Sequence, residues 1–216
     1  MRGVSVLVAV ATMMAAAPAP GQGGPTDGPG PSFDCTRAST AVEHMICAGT
    51  ELRALDLGVS RFYASARRGA HAARIPREQR AWLRERDACA TPACLRAALS
   101  ERLWRLSESV GSDLTTYDDE DADARMAIVD LGGGWYAFGT IGYWQGPTTN
   151  SAVASGAFRL RGDRGEVAAG SDEDCAFTLT RLDGDRWRLA ATPPAAGGTC
   201  GGMNATVEGT YGRGMR

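Results

Sequence analysis

The chain of 216 residues contains no lysine, so all 23 of its basic residues are arginine. This absence excludes mechanisms that need a Schiff-base lysine or the lysine of a phosphate-binding loop. The only two histidines are His44 and His71, which excludes a zinc site built from several histidines. Because 25 acidic residues nearly balance the 23 basic ones, the composition argues against a nucleic-acid-binding protein.

The sequence also lacks a convincing set of catalytic residues. Neither His44 nor His71 has an evident partner that would orient it as a base. The carboxylates of Glu43 and Asp56 would form an acid–base pair only if the fold placed both in a pocket. Gly132–Gly134 lacks the register and the following helix of a phosphate loop, and we predict a turn between two strands. We therefore predict a protein that is not an enzyme and needs no cofactor or metal.

The first residues predict export. Val4 to Ala17 form a run of 14 small and apolar residues, which is shorter than the roughly 20 that span a bilayer but fits the hydrophobic part of a signal peptide. We place the end of this signal peptide at Gly21, and no cysteine for lipid attachment lies nearby. The predicted protein is periplasmic or extracellular, has no membrane anchor and can form disulfides.

Composition divides the rest of the chain into four segments. Residues 22–32 form a spacer rich in proline and glycine, 33–110 a helical region, 111–124 an acidic linker, and 125–216 a region of strands. The predicted fold class is α+β. We expect a disulfide-stapled helical hairpin or three-helix module, followed by a small antiparallel β sandwich or barrel.

Local signals place elements within the two regions. Thr40 and Glu43 form a capping box that predicts the start of a short helix, and Thr50, Pro76 and Thr91 mark further helix starts. The alternating segments that predict strands are Met126–Leu131, Trp135–Ile141, Ala152–Leu160 and Asn204–Tyr211. The turn Asp183-Gly184-Asp185 predicts a hairpin between Cys175–Leu182 and Arg186–Ala190.

Six cysteines predict disulfides in an exported protein. Cys175 and Cys200 are alone in the strand region and should pair with each other. Four others lie at the two ends of the helical region: Cys35, Cys47, Cys89 and Cys94. Three pairings of these four are possible. Antiparallel helices favour two bridges that cross between the 35–47 and 89–94 segments, and the spacing does not match a zinc site.

The acidic segment has two interpretations. Asp119, Asp121, Asp123 and Asp130 stand at the first, third, fifth and twelfth positions of a calcium-loop pattern. Ala124 stands where that loop needs glycine, and the twelfth residue lacks the length of glutamate. We therefore predict a solvated acidic linker rather than a calcium site.

Charge is distributed unevenly between the two regions. Residues 31–110 hold 13 arginines and nine acidic residues, a net charge of +4. Residues 111–216 hold nine arginines and 15 acidic residues, a net charge of −6. The acidic region can attract a basic protein, or its charge can simply keep an exported protein soluble.

Several motifs of the helical region resemble one family. They are Phe33-Asp34-Cys35 with Cys47 twelve positions after the first cysteine, Trp82-Leu83, and Arg86-Asp87-Ala88-Cys89 with Cys94-Leu95. Over residues 33–106 the chain resembles the N-terminal domain of the LprI lysozyme-inhibitor family of bacterial envelope proteins. The motif from Cys200 to Tyr211 is similar to C-terminal regions that accompany this domain.

The resemblance implies a small helical module, stapled by disulfides, in a protein that inhibits lysozyme. We expect the chain to bind and occlude lysozyme or another peptidoglycan-cleaving enzyme. Arg77, Arg80 and Arg84 are the candidate binding residues, because exposed cations can pair with the two carboxylates that cleave the glycan. The alternative is a cell-envelope or peptidoglycan-associated protein without inhibitory activity. Trp82 is expected in the core, with Arg86 and Asp87 orienting the cysteine end.

Overall fold

The computed structural model of the protein describes residues 28–120, 123–169, 174–183, 185–195 and 197–213. The predicted signal peptide and residues 22–27 of the predicted spacer lie outside these ranges. Within them the fold is α+β, with helices first and strands afterwards. After a short 3-10 helix at Cys35–Arg37, the α-helices are α1 (Ala41–Ala48), α2 (Thr50–Ala66), α3 (Ile75–Arg86) and α4 (Pro92–Ser107). The strands are β1 (Thr115–Asp119), β2 (Asp123–Gly132), β3 (Trp135–Gln145), β4 (Thr149–Arg159), β5 (Arg164–Val167), β6 (Ala176–Arg181), β7 (Trp187–Thr192) and β8 (Gly209–Gly212).

The helices begin where the capping signals predict. Thr40 Oγ1 accepts the N–H of Glu43 at 3.2 Å, and Glu43 Oε2 accepts the N–H of Thr40 at 3.0 Å, which confirms the capping box. Thr91 caps α4 in the same way, by accepting the N–H of Cys94 at 3.2 Å. The described helical region contains four α-helices, one for each predicted helix start and one more than the predicted three-helix module.

The strands form one antiparallel sheet that curls into a nearly closed barrel. Their order is β4-β3-β2-β1-β8-β7-β6-β5, so β4 and β5 are the two edges. These edges meet, since Val167 of β5 packs against Gly156 of β4. β6 and β7 pair as the predicted hairpin, although Gly184 of its turn lies outside the described residues. The last strand begins at Gly209, five residues after the predicted start at Asn204.

The prediction of an acidic linker over residues 111–124 is wrong in part. Residues 115–119 of that segment form β1, which pairs with β2 on one side and β8 on the other. Alternation explains the strand, because Tyr117 and Asp119 are buried while their neighbours are partly exposed. The acidic composition of this segment obscured the strand signal of Tyr117, whose side chain points into the barrel.

Helices and barrel share a core through the outer face of β2–β4. Leucines of α2 and α4 cluster with Ala127, Ala137 and Ala157 of these strands. The inner face carries the larger side chains, and Phe138 and Phe158 fill the barrel together with Trp187. The helices thus cover one wall of the barrel and are fixed to it by apolar packing.

Candidate functional site

The three predicted binding arginines lie together on the outer face of α3. Arg77, Arg80 and Arg84 are all exposed. Their spacing of three and four residues places them on one side of the helix. Nη1 of Arg84 donates to the carbonyl oxygen of Arg80 at 3.0 Å. Within the described residues, none of the three forms an ion pair with a carboxylate. The result is a row of uncompensated positive charge.

The opposite face of α3 is held on α4 by specific contacts. Trp82 is 7% exposed, and its Nε1 donates to the carbonyl oxygen of Ala98 on α4 at 3.0 Å. Nε of the buried Arg102 on α4 donates to Gln79 Oε1 at 3.0 Å. A buried tryptophan with a satisfied N–H orients a helix well, so the arginine row has a defined direction. The prediction that Trp82 belongs to the core is confirmed.

Arg86 and Asp87 complete the end of α3. The guanidinium of Arg86 lies 5.4 Å from the centre of the Trp82 ring, and its Nη2 is 2.6 Å from Asp87 Oδ1. This arrangement combines a cation–π contact with a charge-assisted hydrogen bond at the last turn. It lies just before Cys89, which fits the predicted role of orienting the cysteine end.

The expected crossing of the first four cysteines is wrong. Cys35 pairs with Cys47 and Cys89 pairs with Cys94, so both bridges are local. The physical reason is that the chain turns back at each site and brings Cα atoms to 5.8 Å and 5.5 Å, within normal disulfide range. The zinc alternative is also wrong, because all four sulfurs are consumed in disulfides.

The third bridge joins Cys175 to Cys200, the pair expected in the strand region. It ties the residue before β6 to the loop that precedes β8. The Cys89–Cys94 bridge joins the end of α3 to the first turn of α4, so it fixes the helix pair that presents the arginine row.

Glu43 and Asp56 serve structural roles and do not form an acid–base pair. Backbone N–H groups of Ser39 and Thr40 donate to Glu43 and lower its pKa to about 2. Asp56 is buried and accepts the N–H of Ser32 at 2.7 Å, which holds the segment before Phe33 against α2. Both carboxylates therefore accept hydrogen bonds from backbone N–H groups. His44 and His71 are exposed.

The calcium pattern does not converge in the described residues. Asp123 and Asp130 stand at opposite parts of β2, and seven residues of strand place them roughly 23 Å apart. No group of ligating side chains suitable for a metal occurs in the described parts of the chain, and Asp121 lies outside them. Gly132–Gly134 all have positive φ and form the predicted turn between β2 and β3.

The sequence did not point to a cleft of about 750 Å³ beside the start of β3. Trp135, Arg161 and Arg164 are among its lining residues, which come from separate segments. The available signal was the concentration of three arginines in six residues, Arg159 to Arg164, at the end of a predicted strand.

Comparison with known proteins shows a partial similarity. The chain is 32% identical over 111 residues to proteins named Lipoprotein LprI from Mycobacterium tuberculosis and Mycobacterium bovis. The match covers 50% of this chain and 56% of each relative, so the chain spans about half the length of the curated relatives it matches. No family model and no solved structure matches. Among the described helices, none has the length and apolar character needed to cross a membrane.

Proposed function

We propose that this chain is an exported, non-enzymatic binding protein that occludes the substrate cleft of lysozyme or a related peptidoglycan-cleaving enzyme. The observation that carries the proposal is the row of Arg77, Arg80 and Arg84, exposed and uncompensated on a helix whose other face is fixed. The similarity to Lipoprotein LprI and the resemblance to a lysozyme-inhibitor family support the choice of target. Three disulfides support export to the periplasm or the exterior.

The dimensions of the row suit a glycan-cleaving site. Arg77 and Arg84 are seven residues apart, which is roughly 10 Å along an α-helix. The two catalytic carboxylates of glycosidases lie between roughly 5 and 9.5 Å apart. Guanidinium groups bind carboxylates through paired, charge-assisted hydrogen bonds. A helix bearing this row would neutralise both carboxylates and exclude the glycan from the cleft.

The acidic region would contribute to the approach of the target. Residues 111–216 carry a net charge of −6, and complementary charge accelerates encounter with a basic enzyme at low salt. The arginine row would then act at the cleft while the acidic barrel meets the basic outer face of the enzyme. The inhibition should weaken as the salt concentration rises.

A cell-wall lysis assay tests the proposal. The purified protein should slow lysis by lysozyme. The potency of inhibition should fall by about tenfold or more in the triple variant R77Q/R80Q/R84Q. A tenfold loss corresponds to about 1.4 kcal/mol of binding free energy. A matched control, R37Q/R61Q/R188Q, removes three other exposed arginines and should inhibit like the unmodified protein.

The outcomes separate the two interpretations of the chain. Full lysis in the presence of excess unmodified protein would overturn the proposal. Equal inhibition by the two triple variants would remove the arginine row as its basis. Retention of the protein on purified murein sacculi, without inhibition, would favour the alternative of a peptidoglycan-associated protein.

A further inference from the structure

A second surface with the features of a ligand site is the cleft beside β3. Its walls are the first turn of α2 with Thr50 and Glu51, the start of β3 with Trp135, and the turn between β4 and β5. Its volume of about 750 Å³ lies within the range of small-molecule sites in proteins. None of its residues belongs to the arginine row on α3, so ligand binding in this cleft is independent of the proposed function.

Two arginines are brought side by side at one wall of this cleft. Arg161 N donates to Arg164 O at 2.8 Å and Arg164 N donates to Arg161 O at 3.4 Å, so the two residues form an antiparallel bridge. Paired residues of such a bridge project their side chains from the same face. The turn between them is tight because Gly162 adopts a φ of +68°. The side chains of Arg161 and Arg164 therefore project from the same face of this turn.

The charge of this arginine pair is only half compensated. Arg164 Nε lies 3.2 Å from Glu166 Oε1. Arg161 has no carboxylate partner in the described part of the chain. Arg164 Nη2 also donates to Thr178 Oγ1 at 3.3 Å, so Arg161 presents its whole guanidinium to an anion and Arg164 presents its remaining N–H groups. An uncompensated arginine beside a paired one is suited to bind one negative charge in a bidentate manner.

An aromatic wall adjoins this anion-binding edge. Trp135 lines the cleft and is cross-strand partner to Arg159, in the same segment as the arginine pair. Its indole is partly exposed, while Nε1 is buried beside Gly28 and has no hydrogen-bond acceptor among the described residues. Within that part of the chain, one hydrogen bond of this side chain is therefore unmade. A flat, partly exposed ring with polar groups around it suits a ligand with one apolar face and a polar rim.

The remaining polar groups define the ligand class. Thr50, Glu51 and Glu166 offer oxygen acceptors for hydroxyl groups, and Glu51 is held in place by Arg96 Nε at 2.9 Å. The same two glutamates oppose a doubly charged phosphate, because like charges at close range repel. We propose that this cleft binds a pyranose sugar that carries a carboxylate. The ring lies on Trp135, the carboxylate pairs with Arg161 and Arg164, and the hydroxyl groups donate to the glutamates.

Isothermal titration calorimetry with three sugars tests this site. N-acetylmuramic acid, a pyranose with a lactyl carboxylate, should bind the unmodified protein. N-acetylglucosamine, which lacks the carboxylate, and glucose 6-phosphate should each bind about tenfold more weakly or not at all. R161Q/R164Q should weaken binding of N-acetylmuramic acid by about tenfold or more, because the anion loses both guanidinium partners.

The control variant is R188Q, which removes an exposed arginine of β7 that does not line the cleft. It should bind N-acetylmuramic acid like the unmodified protein. No heat of binding for any sugar, equal affinity for N-acetylglucosamine, tighter binding of glucose 6-phosphate, or unchanged affinity in R161Q/R164Q would each overturn the proposal.

Discussion

The two faces of β3 carry side chains of very different size. One face packs against the helical region, and the other points into the barrel. On the outer face, Gly139 lies against the backbone of Leu103 on α4, and Ala137 lies against Gly58 on α2. On the inner face, Tyr136 and Phe138 are aromatic and pack inside the barrel. Small residues let helices approach the sheet closely, whereas a barrel interior must be filled. One strand thus serves two kinds of packing by alternation alone.

The largest expected effect tests whether the two regions unfold as a unit. Phe158 is 1% exposed and contacts the rings of Tyr136, Phe138 and Trp187 inside the barrel. Phe158→Ala should lower the free energy of unfolding by about 3–5 kcal/mol, because it leaves a cavity in a close-packed interior. Urea titrations followed by far-UV and near-UV circular dichroism measure helices and aromatic packing separately.

Both signals should shift together in Phe158→Ala, because helices and strands share an apolar cluster. An unchanged far-UV transition would mean that the helical region is stable by itself. The matched control is Val153→Ala on the adjacent segment of β4, where the side chain is 40% exposed. It should change the free energy of unfolding by less than about 0.5 kcal/mol.

The second test compares the disulfides of the two regions. The Cys175–Cys200 bridge joins residues 25 apart, and the Cys89–Cys94 bridge joins residues five apart. In the loop-closure account, their contributions to stability are about 3.5 and about 2 kcal/mol. C175S/C200S should therefore be destabilised more than C89S/C94S in urea titrations. Equal losses, or the reverse order, would mean that local contacts outweigh loop entropy at these sites.

The third test addresses the close approach of α2 to the sheet. Alanine normally stabilises a helix interior relative to glycine by about 1 kcal/mol. At Gly58, however, a Cβ atom would lie 2.5 Å from Cβ of Ala137. Gly58→Ala should therefore destabilise the protein by about 1–3 kcal/mol through overpacking. Thermal unfolding monitored by circular dichroism gives the sign directly.

A second substitution distinguishes this contact from other causes. Ala137→Gly removes the facing methyl group, so G58A/A137G should recover part of the loss measured for Gly58→Ala alone. The recovery is the interaction free energy of a double-mutant cycle. Stabilisation by Gly58→Ala, or no recovery in the double variant, would contradict the close approach described for this interface.

Signals carried by neighbouring residues predicted more of the structure than signals that depend on residues far apart in the chain. Thr40, Glu43 and Thr91 predict helix starts, because a cap involves residues only three positions apart in the sequence. The strand at Trp135–Ile141 is likewise predicted from residues that are neighbours in the sequence. The disulfides of the helical region were mispredicted because their pairing depends on how two chain reversals place four Cα atoms. Spacing along the sequence does not carry that information.

The candidate sites show the same division. The exposure of Arg77, Arg80 and Arg84 follows from helical periodicity, so the sequence predicts it. The cleft at Trp135 assembles residues from α2, β3 and the β4–β5 turn, and its first and last lining residues, Thr50 and Ala168, are 118 positions apart. β1 escaped prediction because its one apolar residue, the buried Tyr117, is followed directly by two aspartates. Only the pairing with β2 and β8 makes that pattern a strand.

The smallest expected effect tests how the helical region responds to acid. Hydrogen bonds from the N–H groups of Ser39 and Thr40 lower the pKa of Glu43 to about 2, from an ordinary value of 4.5. A carboxyl group with a lowered pKa in the folded state stabilises that state above its unfolded pKa. This contribution is complete above pH 4.5 and is lost as the pH falls towards 2. In Glu43→Gln the capping side chain is neutral at every pH.

The stability difference between the unmodified protein and Glu43→Gln should therefore be constant near neutral pH and shrink steadily below pH 4.5. Urea titrations across this pH range measure it. Glu85→Gln on α3 is the control, since it neutralises an exposed helix glutamate outside a capping box. A difference for Glu43→Gln that grows on acidification would contradict the capping geometry, because only a carboxylate stabilised in its ionised form loses its advantage when protonated.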